Sequence, residues 1–391
     1  MQIISGIYAV LKREVKAILC DKLYLLSVVI LPIVMMAFFA VMFHDGYIAN
    51  LPIAIVDNDN TAMSRKLISM IDEAPGIEIS STASSVIEAN SDLLKGRTYG
   101  YIVIPQHFED DIVGSRPTNV DSYISATNLT AAGVLRRDIQ QVVKTFSSGV
   151  AITRLGAIGI DESKVMAEVM PINIHTHTLA NPYMNYGYYL APIFMFVGII
   201  LFTMLTTIYA IGRELRYATA PEWMTAAYGS LPIALVGKLL PITVAMIVMM
   251  QLAMLVIVVI MGMEFMGSYP LFMLASLLFI LAYQSIAVIV ITITANMRLA
   301  LSLGGGYAVM AFTFSGITFP ISAMYGIAQL LSRLFPLTYF SRIFINEAML
   351  GADAHYSLND IGALLIFMLL VLFVWRRLGR VVRSSRYWGK D

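Results

Sequence analysis

Long uncharged stretches constrain this chain more than any other feature of its sequence. A helix that crosses about 30 Å of hydrocarbon needs about 20 apolar residues. Five stretches without Asp, Glu, Lys or Arg are that long. A sixth becomes long enough if it starts near Ser357 and the arginines at its end reach toward water. The six predicted spans are Leu23–Phe43, Tyr188–Gly212, Leu239–Met263, Phe265–Met297, Leu299–Ser332 and Ile361–Trp375.

The composition agrees with a protein that lies mostly in a membrane. Of its 391 residues, 58% are hydrophobic and 13% are charged, whereas soluble domains carry about 25% charged residues. The single cysteine, Cys20, excludes an intramolecular disulfide and a cysteine-based metal cluster. The first apolar run has no small-residue cleavage site, so we expect a retained anchor rather than a signal peptide.

The placement of lysine and arginine predicts the orientation in the membrane. With the N-terminus inside, the inner segments hold 14 Lys and Arg but only 5 Asp and Glu. The outer segments hold 12 Lys and Arg and 20 Asp and Glu, and these are spread over far more residues. Because cytoplasmic segments carry an excess of Lys and Arg, we expect both termini in the cytoplasm.

The predicted fold class is an α-helical integral membrane protein of six transmembrane helices with an inserted α/β extracytoplasmic domain. Residues 1–22 have apolar positions at a spacing near 3–4, which predicts an amphipathic helix at the inner membrane surface. The alternative is that they simply begin the first span, at 23–43, where Pro32 is expected to cause a kink. Residues 44–187 alternate strand-like and helical runs and predict the inserted domain, and residues 188–391 hold the other five spans.

A nucleotide site is not predicted, despite the glycine-rich run LSLGGGY at residues 301–307. A phosphate-binding P-loop needs Gly-Lys followed by Ser or Thr. The two Gly-Lys pairs, at 237–238 and 389–390, are followed by Leu and Asp. The run lies within 34 uncharged residues, so we interpret Gly304, Gly305 and Gly306 as small residues that let helices approach closely.

Few side chains indicate catalysis or metal binding. His175 and His177 alternate on a predicted strand and therefore share one face, as a two-histidine metal edge would. No third ligand is obvious nearby, so an ordinary polar strand face is favoured. We expect no catalytic residue, no metal and no nucleic-acid partner.

The predicted spans hold no ionisable residue near their centres. Ion-coupled carriers usually bury Asp, Glu, His or Lys along the pathway, so this class is disfavoured. Thr203, Thr206 and Gln284 are mild polar residues that suit either interhelical hydrogen bonds or a pathway. Energy for transport, if it is used, must therefore come from another chain.

The longest inner connection, residues 213–238, predicts a docking element. Pro221 suits the first turn of a short helix, and Glu222 suits the positive end of its dipole. We expect Trp223, Met224 and Tyr228 to present an apolar face to a partner protein. The alternative is an interfacial loop in which Trp223 anchors at lipid headgroups.

The same connection resembles the coupling-helix region of type 2 ATP-binding-cassette export permeases, in which Arg-Glu, Gly-Thr and Glu-x-Leu precede a Gly-Lys pair. Ala218 stands here in place of the usual glycine. Other segments resemble the family in the same order along most of the chain. The segments that carry the resemblance are Arg213-Glu214, Ala218-Thr219, Glu222-Trp223-Met224, Gly237-Lys238, Ile53–Arg65, Gly100–Phe108, Asn181-Pro182-Tyr183, Ser315-Gly316, Phe319-Pro320 and Phe335-Pro336.

The resemblance implies the membrane half of a transporter. Two six-span permease subunits, identical or paralogous, would be driven by two cytoplasmic ATPases that bind ATP and Mg²⁺ themselves. No cofactor is implied for this chain. Members with a large outer loop after the first span are typically bacterial inner-membrane exporters of drugs, lipids or other amphipathic compounds. They often work with a periplasmic adaptor and an outer-membrane channel.

The resemblance also implies roles for particular residues. Contact with the ATPase is expected at Glu214, Thr219, Glu222, Trp223 and Met224. A substrate pathway is expected beside Thr203, Thr206, Gln284, Gly304, Gly305 and Gly306. Its outer gate is expected in a re-entrant hairpin at about 320–356, shaped by Phe319, Pro320, Pro336 and Tyr339. The alternative to an exporter is a membrane receptor, for phage or signalling, that acts through its outer domain.

Overall fold

The computed structural model describes residues 2–44, 46, 48–157, 180–181 and 185–389. The chain divides into two compact units, one formed by Met1–Gly46 with Thr178–Asp391 and the other by Tyr47–His177. His175 and His177 lie outside the described residues, so the structure says nothing about their expected strand.

Within the described residues, six helical segments are long and apolar enough to cross a membrane. This confirms the predicted fold class of a six-helix membrane protein. We name the segments TM1 to TM6 in chain order. They are Lys22–Met42, Gly187–Arg216, Leu231–Ile260, Tyr269–Thr294, Met297–Phe314 and Ala354–Arg383.

Three of these helices have ends that differ clearly from the predicted spans. TM6 runs from Ala354 to Arg383 rather than from Ile361 to Trp375, so it is longer at both ends. TM3 begins at Leu231 rather than Leu239, because Pro232 occupies its first turn and Lys238 is neutralised inside the protein. TM5 ends at Phe314 rather than Ser332, since Gly316 adopts a φ of 86° that turns the chain away from the helix. The connection predicted at 213–238 is correspondingly shorter.

TM1 is interrupted where the sequence predicts a kink. A π-helical segment, Leu26–Ile30, directly precedes the α-helix Leu31–Met42, which has Pro32 in its first turn. Proline has no N–H to donate to the preceding turn. The wider π-helical turn therefore accommodates the proline within a continuous helical segment.

The hairpin between TM5 and TM6 consists of short helical pieces. Its Glu347 is fully buried and accepts hydrogen bonds from Ser357 Oγ at 2.8 Å and from the Ser268 backbone N–H at 3.1 Å. Those bonds join the hairpin to the start of TM4. The pieces are the 3₁₀ turn Ile321–Ala323, the α-helices Gly326–Ser332 and Pro336–Phe344, the π-helical turn Ile345–Met349 and the 3₁₀ turn Ala354–Ser357.

TM2 and TM4 form the centre of the membrane unit. In the most apolar window of each helix, 67% of TM2 and 72% of TM4 are buried, compared with 17% of TM1, 28% of TM5 and 17% of TM6. The outer three helices therefore leave most of their apolar surface for lipid or for another chain. TM6 begins with the 3₁₀ turn Ala354–Ser357, at which the hairpin ends. It continues as the α-helix Leu358–Leu369, the 3₁₀ turn Leu370–Val374 and the tail helix Trp375–Arg383.

A separate N-terminal helix, Gln2–Cys20, precedes TM1. Asp21 ends it and caps TM1 by accepting hydrogen bonds from the Leu23 and Tyr24 backbone N–H groups. Its buried residues, at a spacing of four, form a stripe that packs on TM3, while large apolar residues on its other faces are exposed. The stripe consists of Gly6, Val10, Glu14 and Ile18.

Both ends of the described chain lie at the same end of the helix bundle. The N-terminal helix packs on TM3 near its start, and the Gly389 backbone N–H donates to Leu215 O at the end of TM2. The TM3–TM4 connection lies at the opposite end, where the Met266 N–H donates to Ala348 O in the hairpin. This arrangement agrees with the prediction that both termini are on one side of the membrane.

The inserted unit is an α/β domain, as predicted. Its four-stranded sheet has the order β2-β1-β3-β4, with β1, β2 and β3 parallel and β4 antiparallel to β3. The two central strands, β1 and β3, are mostly buried, which explains their apolar runs. The strands are β1 Leu51–Asp57, β2 Ile77–Thr82, β3 Gly100–Ile104 and β4 Asp121–Ile124. The helices are Ala62–Asp72, Val86–Leu94, Phe108–Val113 and Leu129–Ala157.

One carboxylate fastens the start of a helix in this domain. Asp59 accepts hydrogen bonds from the backbone N–H groups of Phe108 and Glu109, each at 3.0 Å, and from Thr61 Oγ1 at 2.6 Å. Burial raises the pKa of the Asp59 carboxyl, but these hydrogen bonds to the charged form outweigh it and hold the pKa below its usual value.

The N-terminal helix packs closely on TM3 at Gly237. A Cβ on Gly237 would lie 2.7 Å from Val10 Cβ and 2.9 Å from the Ile7 carbonyl oxygen. Gly237→Ala should therefore push the two helices apart and lower the free energy of unfolding by about 1–3 kcal/mol. The measurement is SDS-induced unfolding of the full-length protein in mixed micelles.

Gly362→Ala is the matched control. Gly362 lies within the helix Leu358–Leu369 with nothing within 4 Å of its Cβ position, so alanine there should stabilise by about 0.5–1 kcal/mol. Equal effects of the two substitutions would contradict the close packing.

Candidate functional site

A short helix, Ala220–Ala226, connects TM2 to TM3. Pro221 is in its first turn, as the sequence predicts. The chain enters and leaves it through left-handed residues, Ala218 with φ 55°, Tyr228 with φ 52° and Gly229 with φ 73°. The family resemblance places a glycine at position 218, and this backbone conformation explains why glycine suits that position better than the alanine found here.

The orientation of this helix differs from the sequence-based expectation. Trp223 is fully buried and Met224 is 7% exposed, so these two residues do not form an outward apolar face. Trp223 Nε1 instead donates to Ala234 O of TM3 at 3.0 Å. The outward face carries Pro221, Glu222 and Thr225, and is flanked by the exposed Tyr217 and Tyr228.

A buried lysine lies behind Trp223. Lys238 of TM3 is completely buried, and its Nζ lies 2.5 Å from Glu14 Oε2 of the N-terminal helix and 2.8 Å from Glu214 Oε1 of TM2. The ammonium also lies 5.0 Å from the centre of the Trp223 ring. The charge is therefore neutralised by two carboxylates and covered by an aromatic face.

The remaining oxygens of the two carboxylates are also satisfied. Arg13 makes a two-bond contact with Glu214, at 2.8 and 2.9 Å, and Thr219 Oγ1 donates to Glu214 Oε2 at 2.6 Å. Tyr24 of TM1 donates to Glu14 Oε1 at 2.6 Å. We call Arg13, Glu14, Glu214 and Lys238 the Lys238 ion cluster; it contains two positive and two negative charges.

A second polar contact joins the N-terminal helix to TM2. Asp21 Oδ2 accepts a hydrogen bond from Tyr209 at 2.5 Å and lies 3.8 Å from Arg213 Nη1. Burial raises the pKa of the Asp21 carboxyl. The hydrogen bonds from Tyr209 and from the Tyr24 and Leu23 N–H groups, together with the nearby Arg213, outweigh burial and hold the pKa below its usual value. Asp21 is therefore held in its charged form.

Together these contacts fix the short helix to three other elements. Thr219, at its start, is bonded to Glu214 of TM2, and Trp223 is bonded to TM3. The ion cluster joins TM2 and TM3 to the N-terminal helix. A displacement of the short helix would therefore displace all three. Separating Lys238 from both of its carboxylates would leave a buried charge unpaired, which opposes independent movement of these elements.

The residues expected along a pathway are buried rather than arranged around one opening. Thr203 and Thr206 donate to backbone carbonyls one turn earlier in TM2, those of Ile199 and Phe202. Gln284 accepts from Thr243 at 2.9 Å, but its Nε2 is buried with no partner among the described residues. Of the three, Gln284 alone has a free donor for a substrate or another side chain.

The three glycines of TM5 have different surroundings. A Cβ on Gly304 would lie 2.5 Å from Ile208 Cδ1, so this glycine permits close packing of TM5 on TM2. Gly305 and Gly306 have nothing within 4 Å of their Cβ positions. The expected tight packing within the chain therefore holds for Gly304 only.

The residues expected at the outer gate lie in or beside the hairpin. Phe319 and Pro320 are exposed, whereas Pro336 is buried at the start of the helix Pro336–Phe344. Tyr339 donates to Arg333 O at 3.0 Å, and its ring lies 5.1 Å from the Arg342 guanidinium carbon. They share the hairpin region, but they do not form one surface.

Arg13, Glu14 and Tyr24 belong to the site but are not predicted as members of it from the sequence, which places them in an interfacial helix and in the first span. A signal was present, because Glu14 lies on the apolar stripe of the N-terminal helix with Val10 and Ile18. A carboxylate on such a stripe indicates a buried ionic partner.

Residues 22–376 of the chain match the sequence model of a protein family, which is described as ABC-2 family transporter protein. The matched range includes the short helix and, within the ion cluster, Glu214 and Lys238. Comparison with curated proteins and with solved structures gave no match. The match spans nearly the whole chain, and the six apolar helices agree with it. The chain therefore belongs to the ABC-2 transporter family and is the transmembrane permease of an ATP-binding-cassette transporter.

Proposed function

We propose that the chain is the permease subunit of an exporter in the bacterial inner membrane, which moves an amphipathic, drug-like or lipid-like substrate outward. A separate ATPase on the cytoplasmic side supplies the energy, and this chain is not itself an enzyme. The observation that carries the proposal is the short helix Ala220–Ala226, held to TM2, TM3 and the N-terminal helix through buried contacts.

The ATPase binds the outward side of that helix. We call Pro221, Glu222 and Thr225 the docking face. Glu222 has a side chain that is 72% exposed and lies 3.7 Å from Arg13, so one residue connects the surface to the ion cluster. Of the residues assigned to this contact, Glu222 touches the ATPase directly. Glu214, Thr219, Trp223 and Met224 hold the helix from behind.

A substitution in the middle of the docking face tests this assignment. Thr225 is exposed, and its hydroxyl donates a hydrogen bond to Pro221 O within the same helix, at 2.9 Å. Thr225→Arg should weaken ATPase binding about tenfold or more, since a bulky charge prevents close contact at the centre of an interface. The measurement is the amount of ATPase that copurifies with tagged permease from native membranes.

The matched control is Thr153→Arg in the inserted domain. Thr153 is also exposed on a helix, and its hydroxyl bonds to Gly149 O at 2.9 Å in the same way. Thr153→Arg should leave the amount of copurified ATPase unchanged. If no ATPase copurifies with the unmodified chain after crosslinking, the exporter proposal fails. An effect of both variants would show that Thr225 has no special role.

The Lys238 ion cluster gives a second test, which separates stability from coupling. Lys238→Met leaves two buried carboxylates facing one arginine and should cost about 3–5 kcal/mol of folding free energy. Adding Glu14→Gln restores equal numbers of positive and negative charges, so the double variant should recover most of the loss. Its ATP-driven transport of an amphipathic dye into inverted vesicles should stay low, because the ionic link between TM3 and the N-terminal helix is absent.

SDS-induced unfolding reports the stability, and the ATPase rate reports whether the partner is still bound and active. Transport at the unmodified rate in the double variant would contradict a role for the cluster in transmitting movement.

In this proposal a second permease copy packs against TM5. Gly305 and Gly306 leave an open surface on a helix that is 28% buried in its apolar window, and small residues permit close approach of another helix. In a two-fold symmetric pair, a residue near the axis meets its own copy. The structure of one chain leaves room for this contact.

Cysteine crosslinking tests the contact. In a Cys20→Ser background, Gly306→Cys should form a disulfide-linked dimer in native membranes under mild oxidation. Gly362→Cys, on TM6 with equally open surroundings, is the control and should remain monomeric. Equal crosslinking at both positions, or none at Gly306 in membranes where the ATPase copurifies, would exclude TM5 as the interface.

A further inference from the structure

An arginine-rich cleft lies beside the tail helix, away from the Lys238 ion cluster. Its volume is about 1020 Å³. One wall is the segment Gly229–Pro232 at the start of TM3, and the other is the tail helix and the residues after it. The arginines that line it are Arg376, Arg380, Arg383 and Arg386.

The helix geometry explains why these arginines gather on one side. Arg376, Arg380 and Arg383 follow each other at spacings of four and three, which places them on one helix face. Leu378, Val381 and Val382 on the opposite side are buried against the protein. The tail helix therefore has an apolar side that packs inward and a cationic side that forms the cleft.

The described residues do not neutralise the charges in the cleft. Among them, no carboxylate lines the cleft, and none of their ion pairs includes Arg376, Arg380 or Arg386. Arg383 donates to the Gly229 carbonyl oxygen at 3.0 Å, which is a neutral acceptor. Arg377 differs, because it faces the end of TM4 and donates to Thr292 O and Ile293 O.

The other lining residues match the boundary between hydrocarbon and water. The uncharged segment of TM6 ends at Trp375, and Arg376 follows directly. Trp375 and Tyr387 line the cleft together with Leu231 and Pro232. Aromatic residues at this depth occupy the headgroup level of a bilayer. An anion that binds here can therefore place an apolar portion against Leu231 and a charged portion against the arginines.

We propose that this cleft binds the phosphate headgroup of an anionic phospholipid. Clusters of four or more basic residues directly after a transmembrane helix favour anionic lipids over zwitterionic ones. Arg376, Arg380 and Arg386 bind the phosphate oxygens through charge-assisted hydrogen bonds. The glycerol and the first acyl carbons lie along Leu231 and Pro232. This site does not depend on the identity of the ATPase or of the transported substrate.

The site touches the connection from the short helix to TM3. Gly229 and Ser230, which end that connection, line the cleft, and Arg383 bonds to Gly229. A lipid bound between the two walls links the tail helix to the connection. Anionic lipid therefore stabilises this region of the permease in addition to filling the cleft.

Native mass spectrometry of the full-length chain in detergent, titrated with phosphatidylglycerol or phosphatidylcholine, tests the proposal. The unmodified chain should bind at least one phosphatidylglycerol about tenfold more tightly than phosphatidylcholine. The triple variant Arg376→Gln, Arg380→Gln, Arg386→Gln should lose that preference. Arg383 is left in place because it bonds to Gly229. If the triple variant does not fold, Arg380→Gln alone should reduce the preference measurably.

The control removes the same number of charges elsewhere at the same end of the helix bundle. Lys12, Lys16 and Lys22 are exposed near the N-terminal helix, and their replacement by Gln should leave the tight phosphatidylglycerol site intact. Equal loss in the control would show a diffuse attraction and overturn the proposal. No preference for phosphatidylglycerol in the unmodified chain would do the same.

A competition experiment distinguishes a lipid site from a site for free phosphate. Inorganic phosphate at millimolar concentration should not displace the bound phosphatidylglycerol, because it cannot use the apolar wall. Complete displacement at that concentration would show a site for a water-soluble anion and would reject the lipid.

Discussion

The burial of one ammonium group is the constraint on which the candidate site depends. A charged lysine that is removed from water loses several kcal/mol of solvation unless carboxylates replace the water. In this chain the replacement comes from Glu14 and Glu214, which belong to different helices, at 2.5 and 2.8 Å from Lys238. Satisfying one charge therefore requires three segments to meet. Other local features follow from this meeting, including the buried Trp223 that covers the lysine.

The same constraint explains why a helix as short as Ala220–Ala226 has a defined position. Seven residues form a marginal helix in water, so its order comes from the contacts behind it. The left-handed conformations at Ala218 and Tyr228 have a steric cost, which only a well-determined environment can offset. The exposed side of the helix is therefore presented by a rigid support, as a surface that receives force from a partner requires.

The sequence was sufficient for the overall architecture but not for the site. Hydropathy over long uncharged stretches predicts the six helices, and alternation of runs predicts the α/β insert, because both depend on local composition. The start of TM3 does not follow from local composition, because a lysine at position 238 indicates the edge of the membrane and only long-range partners make it an interior residue. The outward orientation predicted for Trp223 overlooked a local pattern. Ala220, Trp223, Met224 and Ala227 follow the spacing of one helix face and are all buried.

The cations at this end of the bundle serve two different purposes, and burial separates them. Lys238 and Arg13 are paired with carboxylates of the same chain, so their interaction energy is used to hold helices together. The arginines of the tail face a cleft that no carboxylate of the described residues lines. A neutral, dehydrated cluster resists exchange with solvent, whereas a hydrated cationic cleft attracts ligands from it. The ion cluster is suited to holding helices together, and the cleft is suited to binding a ligand. The connection from the short helix to TM3 contacts the cleft, because Gly229 O accepts a hydrogen bond from Arg383.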